Sequence, residues 1–326
     1  MVLTRTPYRI SFFGGLSDYR EWFKDHPGAV LSATINRYCY ISARRLLPFH
    51  PHKTRAVWSK IEMVQDNSEI EHPAIRGCLE YLNMKDGLEI HHDGDLPGRS
   101  GMGSSASFTV GLLHAVHALK SEMISKRRLA IEAMEVDQDV VKEIVGSQDH
   151  VAAAFGGLNR IGFGGDRSDF IVKPIIVDKA RFKMLRRHIL LFYTGLSRHA
   201  SEVAAKQVVK FDRNPALVGQ MADLADEGEA ILLSGSFRDF GTLLHDAWQI
   251  KRHFGASNEA IDDLYEKALK AGAIGGKILG AGEGGMLMIF VEPELREGVR
   301  KAMPGLLEVP FEFETQGSQI VYYSEE

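Results

Sequence analysis

Asp95-Leu96-Pro97-Gly98-Arg99-Ser100-Gly101-Met102-Gly103-Ser104-Ser105-Ala106-Ser107 is the stretch on which the fold turns. It follows a strand-like segment, Leu88 to His92, and opens a long helical run, Ser104 to Lys120. Glycines at 98, 101 and 103 let backbone N–H groups approach an anion closely. A helix beginning at Ser104 and Ser105 adds unpaired first-turn donors backed by its dipole. A phosphate fits such a turn. The spacing Gly98-x-x-x-x-Gly103 imitates a Walker A loop, but Ser104 stands where that motif needs lysine, and no G-x-x-x-x-G-K-[ST] occurs elsewhere. Nor is the order that of the dinucleotide motif G-x-G-x-x-G, and no acidic ribose reader follows a βαβ unit. Both facts disfavour a P-loop NTPase and an NAD or FAD enzyme. The plainer reading of the loop alone is a flexible connection capped by Ser104.

Upstream, Val30 to Thr34 and Tyr38 to Ala43 also read as strands, with one helix from Pro73 to Leu82. Downstream, the helix from Ser104 and a second from Arg127 to Ile144 are parted by a charged turn, Ser125-Lys126-Arg127-Arg128. A strand at His188 to Tyr193 follows the basic turn Lys183 to Arg187, and several helices lie between Ser201 and Gly272. The clearest of these runs from Asn258 as cap to Gly272 as stop, with Ile261, Leu264, Tyr265, Ala268 and Leu269 on one stripe. Strands and helices are partly segregated, so the class is α+β rather than a doubly wound parallel sheet. We place the domain change near residue 180, giving segments 1–180 and 181–326.

The 326 residues are 44% apolar and 25% charged with a formal net charge of -4, which excludes a chain-wide basic footprint for nucleic acid or anionic membrane. Cys39 and Cys78 are too few for a disulfide framework and form no C-x-x-C, so they read as buried thiols in a reducing cytoplasm. Arginines and Pro7 interrupt the N-terminus where a signal peptide needs an apolar run. Apolar runs such as Ile189 to Tyr193 and Met286 to Val291 fall far short of the ~20 residues of a membrane-spanning helix, and no span is expected. The paired His91-His92 alternate across a strand without H-E-x-x-H, which makes them structural rather than metal ligands. No G-x-S-x-G elbow points to a hydrolase.

Three motifs in order carry a resemblance. Pro97-Gly98-Arg99-Ser100-Gly101-Met102-Gly103-Ser104-Ser105-Ala106 resembles the P-x-G-x-G-L-G-S-S-A motif of the GHMP kinases, the galactokinase, homoserine kinase and mevalonate kinase family, with Met102 in place of leucine. That exchange conserves volume. Pro7-Tyr8-Arg9-Ile10-Ser11-Phe12-Phe13-Gly14-Gly15-Leu16-Ser17-Asp18-Tyr19 is similar to the family's N-terminal sugar-site motif, with Ser17 for threonine. Gly275-Gly276-Lys277-Ile278-Leu279-Gly280-Ala281-Gly282-Glu283-Gly284-Gly285 is similar to its C-terminal glycine-rich motif, with Glu283 for glycine. Ser59 to Val64, Glu71 to Arg76, Phe192 to Arg198 and His245 to Lys251 resemble the branch acting on D-glycero-D-manno-heptose 7-phosphate.

The resemblance implies a two-domain GHMP kinase fold, mixed sheets each covered by helices, and an active site in the cleft between the domains. It implies ATP and Mg2+, with Pro97, Gly98, Gly101, Gly103, Ser104, Ser105 and Ala106 around the nucleotide phosphates. Gly146-Ser147-Gln148-Asp149-His150 is similar to the family's G-x-Q-D segment, which makes Asp149 the catalytic base and Arg9 its electrostatic partner. The plainer role for Asp149 is capping a helix that starts around Val151. Gly15 and Asp18 fall in the sugar site, Asp18 as an acceptor from substrate hydroxyls. Arg198 has a fork of donors suited to a substrate phosphate, and equally suits a surface loop. Magnesium takes oxygen ligands and keeps waters, so Ser105 and one carboxylate suffice; the aligned carboxylate is Asp137, with Glu135 nearby. Charges at 132, 135, 137, 139 and 143 equally suit a solvated helix face.

The implied reaction is phosphorylation of the anomeric hydroxyl of a heptose 7-phosphate to a 1,7-bisphosphate for nucleotide-activated heptose synthesis. Another acceptor (an unphosphorylated heptose, galactose or fucose) and a noncatalytic sugar and ATP sensor stay open. The implied partners are a small sugar or sugar phosphate and ATP, not nucleic acid or membrane; a homodimer is left open.

Overall fold

The computed structural model describes residues 1–197 and 200–325. Thirteen strands form two sheets among them. The large sheet centres on Val2–Phe13 and Gly28–Arg45, which pair antiparallel along most of their lengths. Leu88–Gly94 continues it from Gly28–Arg45, followed by Thr54–Val57 and Ile61–Val64, while Leu158–Gly164 and Asp166–Pro174 branch from the other end of the same strand. Thr54–Val57 on Leu88–Gly94 is parallel and makes the sheet mixed. The small sheet is antiparallel in the order Leu307–Glu308, Ile189–Tyr193, Met286–Val291, Ala273–Ile278.

The two strands expected at 30–34 and 38–43 are one, Gly28–Arg45. The polar pair Asn36-Arg37 that divides them in sequence sits at a register shift opposite Pro7 and Tyr8. Pro7 has no N–H for the ladder, so the partner strand bulges there. Asn36 finds its bonds instead with the main chain of Glu312, through its own N–H at 2.9 Å and its side-chain oxygen at 2.7 Å.

Helix Ser104–Leu119 lies on the large sheet, flanked by Pro73–Tyr81, Lys126–Glu135 and Gln148–Phe155. The helix expected from Arg127 to Ile144 stops at Glu135. A π turn over Val136–Val140 follows, and Lys142 then takes φ +63. The β-branched pair Val140-Val141 is crowded in a helix, and the chain leaves by bonding Val141 N–H to Val136 O and Glu143 N–H to Asp137 O, both at 2.8 Å. The basic turn expected at Lys183 to Arg187 belongs to a helix, Lys179–His188. Asp178 caps its start by accepting from the N–H groups of Ala180 and Arg181, and Arg186, Arg187 and His188 complement the dipole at its end.

Helices Phe237–His253 and Glu259–Lys270 cover the small sheet. The second is capped as its sequence predicts: Asn258 accepts from Ile261 N–H at 3.1 Å, Ile261, Tyr265 and Ala268 are buried, and Gly272 turns at φ +100. Apolar packing runs without a break between the sheets, from Phe12 through Phe240 (ring centroids 5.5 Å apart) to Phe290, again at 5.5 Å. Phe313–Glu314 and Gln319–Tyr323 return to the large sheet, against Gly28–Arg45 and Val2–Phe13. Cys39 and Cys78 are buried free thiols, and no described helix is long and apolar enough to cross a membrane.

Candidate active site

Between the sheets lies a cleft of about 350 Å³. Its centre is an ion pair carried by two elements 140 residues apart in sequence. On strand Val2–Phe13, alternation sends Arg9 and Ser11 to one face. Arg9 Nε and Nη2 donate to the two carboxylate oxygens of Asp149, each at 2.6 Å, and Nη1 donates to Gly101 O at 2.8 Å. The Arg9 main-chain N–H donates to Met102 O at 3.0 Å, so one residue ties strand, glycine loop and carboxylate together. Asp149 lies in the first turn of helix Gln148–Phe155, whose cap position is Ser147; its carboxylate crosses to Arg9 instead of capping. Such a fork-to-fork pair fixes orientation as well as charge.

The glycine loop is shaped by contact with the C-terminal glycine-rich motif. Gly101 has φ +77, and a Cβ there would lie 2.4 Å from Leu279 O. Met286 N–H donates to Ser100 O at 2.9 Å, and Met102 is fully buried. Helix Ser104–Leu119 has Gly103 at its cap with no side chain to satisfy it, and Ser107 N–H, on Gly103 O at 2.9 Å, is its first internal bond. The amides of Ser104, Ser105 and Ala106 are thus the open donors of this helix. Pro97 and Gly98 are exposed and outside the cleft lining, whereas Gly101, Gly103, Ser104, Ser105 and Ala106 line it.

Asp18 and Gly15 line the side of the cleft facing Asp149. Asp18 Oδ2 accepts from Gln148 Nε2 at 2.9 Å, and its main-chain O accepts from Ser147 N–H at 2.8 Å. Gly146 makes this approach possible, because a Cβ there would fall 2.1 Å from Asp18 Oδ2. Oδ1 of Asp18 is buried with no hydrogen-bond partner among the described residues. Burial pushes the Asp18 carboxyl up from its ordinary value, and the charge of Asp149 adds to the shift.

Asp137 sits in the π turn, buried, and lines the cleft together with Ser105 and Glu143. Its Oδ1 accepts from Thr109 Oγ1 and its Oδ2 meets His150 Nε2, both at 2.8 Å. Hydroxyl and carboxylate oxygens suit magnesium, and the Thr109 and His150 contacts orient the carboxylate as outer partners do around metal ligands. The described residues hold no cluster of three or more metal-ligating side chains, so the fit is to an ion that keeps most of its own waters. Glu135, the neighbouring alternative, takes the Tyr81 hydroxyl and is not part of the lining. His91 meets Glu89, and His92 packs on Phe108. Arg198 lies outside the described residues.

Gln148, Glu143, Lys251 and Lys277 are among the lining residues that the sequence reading did not single out as site residues. Gln148 and both lysines sit inside the quoted motif segments, but only burial marks the lysines out. Burial pushes the Glu143 carboxyl up, with Asp137 adding to the shift.

The chain matches the model of the GHMP kinases N terminal domain over residues 71–157 and that of the GHMP kinases C terminal over 229–308. It is 26% identical over 319 residues to the D-glycero-alpha-D-manno-heptose 7-phosphate kinase of Campylobacter jejuni, covering 93% of each. To the galactokinase of Pyrococcus furiosus it is 25% identical over 344 residues, covering 93% of this chain and 92% of the relative. The crystal structure of a D-glycero-D-manno-heptose 1-phosphate kinase from Bacteroides thetaiotaomicron superposes with a TM-score of 0.81 at 23% identity, covering 99% of this chain and 100% of that one.

Proposed function

The chain belongs to the GHMP kinase family, and from that premise we propose that it transfers the γ-phosphoryl group of ATP to the anomeric hydroxyl of D-glycero-D-manno-heptose 7-phosphate, giving the 1,7-bisphosphate. The observation that carries the reading is the Arg9–Asp149 pair, held at 2.6 Å directly beside the glycine loop and the open end of helix Ser104–Leu119. Similarity to the Campylobacter jejuni heptose 7-phosphate kinase over 93% of both chains supports the choice of acceptor.

Each residue then has a task. The amides of Ser104, Ser105 and Ala106 grip the phosphate tail at a helix N-terminus. Asp149 accepts the proton of the attacking hydroxyl. The worth of that carboxylate lies in its placement beside the glycine loop. Arg9 orients that carboxylate through two hydrogen bonds and offsets negative charge on the transferred group. Asp18, with a buried oxygen that has no hydrogen-bond partner among the described residues, accepts from acceptor hydroxyls. Ser105 and Asp137 would hold Mg2+, whose charge, when bound, neutralises the phosphate oxygens.

A product-resolved assay with ATP, Mg2+ and a panel of heptose 7-phosphate, heptose, galactose and fucose tests the reading. Formation of the 1,7-bisphosphate is expected. Transfer to a neutral hexose alone would sink the acceptor assignment. Background ADP release, unchanged in Asp149→Asn, would replace catalysis with sensing.

A further inference from the structure

Two buried lysines face the cleft, and among the described residues neither is in an ion pair. Lys251, on helix Phe237–His253, is 4% exposed, and Lys277, on strand Ala273–Ile278, is 1% exposed. Lysine is almost never fully buried unless paired. Among the described residues, the hydrogen bonds of both go to main-chain carbonyls: Lys251 Nζ donates to Gly280 O at 2.5 Å and Lys277 Nζ to Phe12 O at 2.8 Å. Of the nearby carboxylates, Asp149 is taken by the Arg9 fork, while Asp18 has Oδ2 on Gln148 and Oδ1 without a hydrogen-bond partner among the described residues.

The placement is as informative as the burial. Gly280, which takes the Lys251 bond, packs so tightly on the phosphate loop that a Cβ on it would lie 2.8 Å from Gly101 Cα. The carbonyl of that same Gly101 accepts from Arg9. Lys277 bonds the strand that carries Arg9 and Ser11, and among the described residues the buried hydroxyls of Ser11 and, in the loop, Ser100 have no hydrogen-bond partner. Three cations, Arg9, Lys251 and Lys277, thus meet two carboxylates where the two glycine loops join. Burial pushes both lysines down, Lys251 to about 8, and the neighbouring cations reinforce the shift while Asp18 opposes it. An apolar side chain would fill either position without the cost of a desolvated charge. Asp18 offsets part of that cost, and an arriving anion would offset more.

We propose that Lys251 and Lys277 form, beside Arg9, a receptor for a phosphate-type oxyanion at the floor of the cleft. The inference rests on the phosphoryl-transfer reading above for its physiological ligand, which is either the phosphate already on the acceptor or the phosphoryl group in transfer. Both sources have the same chemistry, and kinetics separates them.

The test uses the full chain with Lys251→Met and Lys277→Met, and inorganic phosphate as the probe at matched ionic strength. Without phosphate, each Met variant should melt at a higher temperature than the parent, since it loses an uncompensated buried charge. Phosphate should raise the parent's melting temperature, and its dissociation constant should weaken about thirtyfold or more in the variants, as when one member of a buried charge pair is removed. In turnover, a raised KM confined to the phosphorylated sugar identifies the acceptor's own phosphate, whereas a kcat loss on phosphorylated and unphosphorylated heptose alike identifies the transferred group. A Met variant that fails to fold or melts below the parent overturns the receptor, because the bond to Gly280 or Phe12 would then be structural. An undiminished phosphate response, or unchanged kinetic constants on every acceptor, overturns it as well. If the parent transfers phosphate to no sugar, the functional reading fails separately, and the phosphate titration alone decides the receptor.

Discussion

Asp149 and Arg9 act as a unit, and a substitution in one is felt by the other. Asp149→Asn keeps the shape but removes the charge that Arg9 holds and the base that faces the acceptor. We expect kcat to fall by about 10²–10⁴-fold with a much smaller change in KM for ATP, read by steady-state kinetics. Lys251 gives a pH-dependent counterpart. Its value falls from 10.5 to about 8 in the folded protein, where it faces Asp18, Arg9, Asp149 and Lys277. Between those two values the unfolded chain binds more protons than the native one, so this group makes stability rise with pH across that window. Urea midpoints should therefore favour Lys251→Met over the parent most at pH 7, and the gap should close as pH approaches 10. A gap constant with pH would exclude the buried charge as its cause.

At the scale of elements, one close approach brings the site together, and it can be perturbed alone. The segment from the π turn to helix Gln148–Phe155 threads past Asp18 through Gly146, where a side chain has no room. Gly146→Ala should destabilise the fold by about 1–3 kcal/mol by overpacking and weaken acceptor binding with it, measured by urea denaturation and by KM for the sugar. Asp178 is the matching control, since it caps helix Lys179–His188 outside the cleft. Asp178→Ala should cost about 1 kcal/mol and leave kcat and KM unchanged. The helix at 258–272 was legible from its stripe and cap because both are local. The early end of helix Lys126–Glu135 was not: charges at 132, 135, 137, 139 and 143 suit a continuous solvated face, yet Asp137 is buried against Thr109 and His150. The bulge at Asn36-Arg37 was likewise hidden, since its cause, Pro7, sits on another strand.

Over the whole molecule, the two sheets share one apolar core bridged by Phe12, Phe240 and Phe290. We expect a single cooperative unfolding transition in calorimetry rather than one per sheet. Phe240→Ala should lower stability by about 3–5 kcal/mol in that one transition; two resolved transitions would contradict the shared core. The glycine loop could be read in the amino-acid order because phosphate-binding turns depend on residue type at short spacing, whereas Arg9, Asp18 and Asp149 were singled out by resemblance to the family's motifs. Which of these residues touch, and that Lys251 and Lys277 are buried among them, was decided only when Val2–Phe13, Ala273–Ile278 and helix Phe237–His253 packed together. Burial and ion pairing belong to the assembled chain, for they depend on which distant segments exclude water from one another.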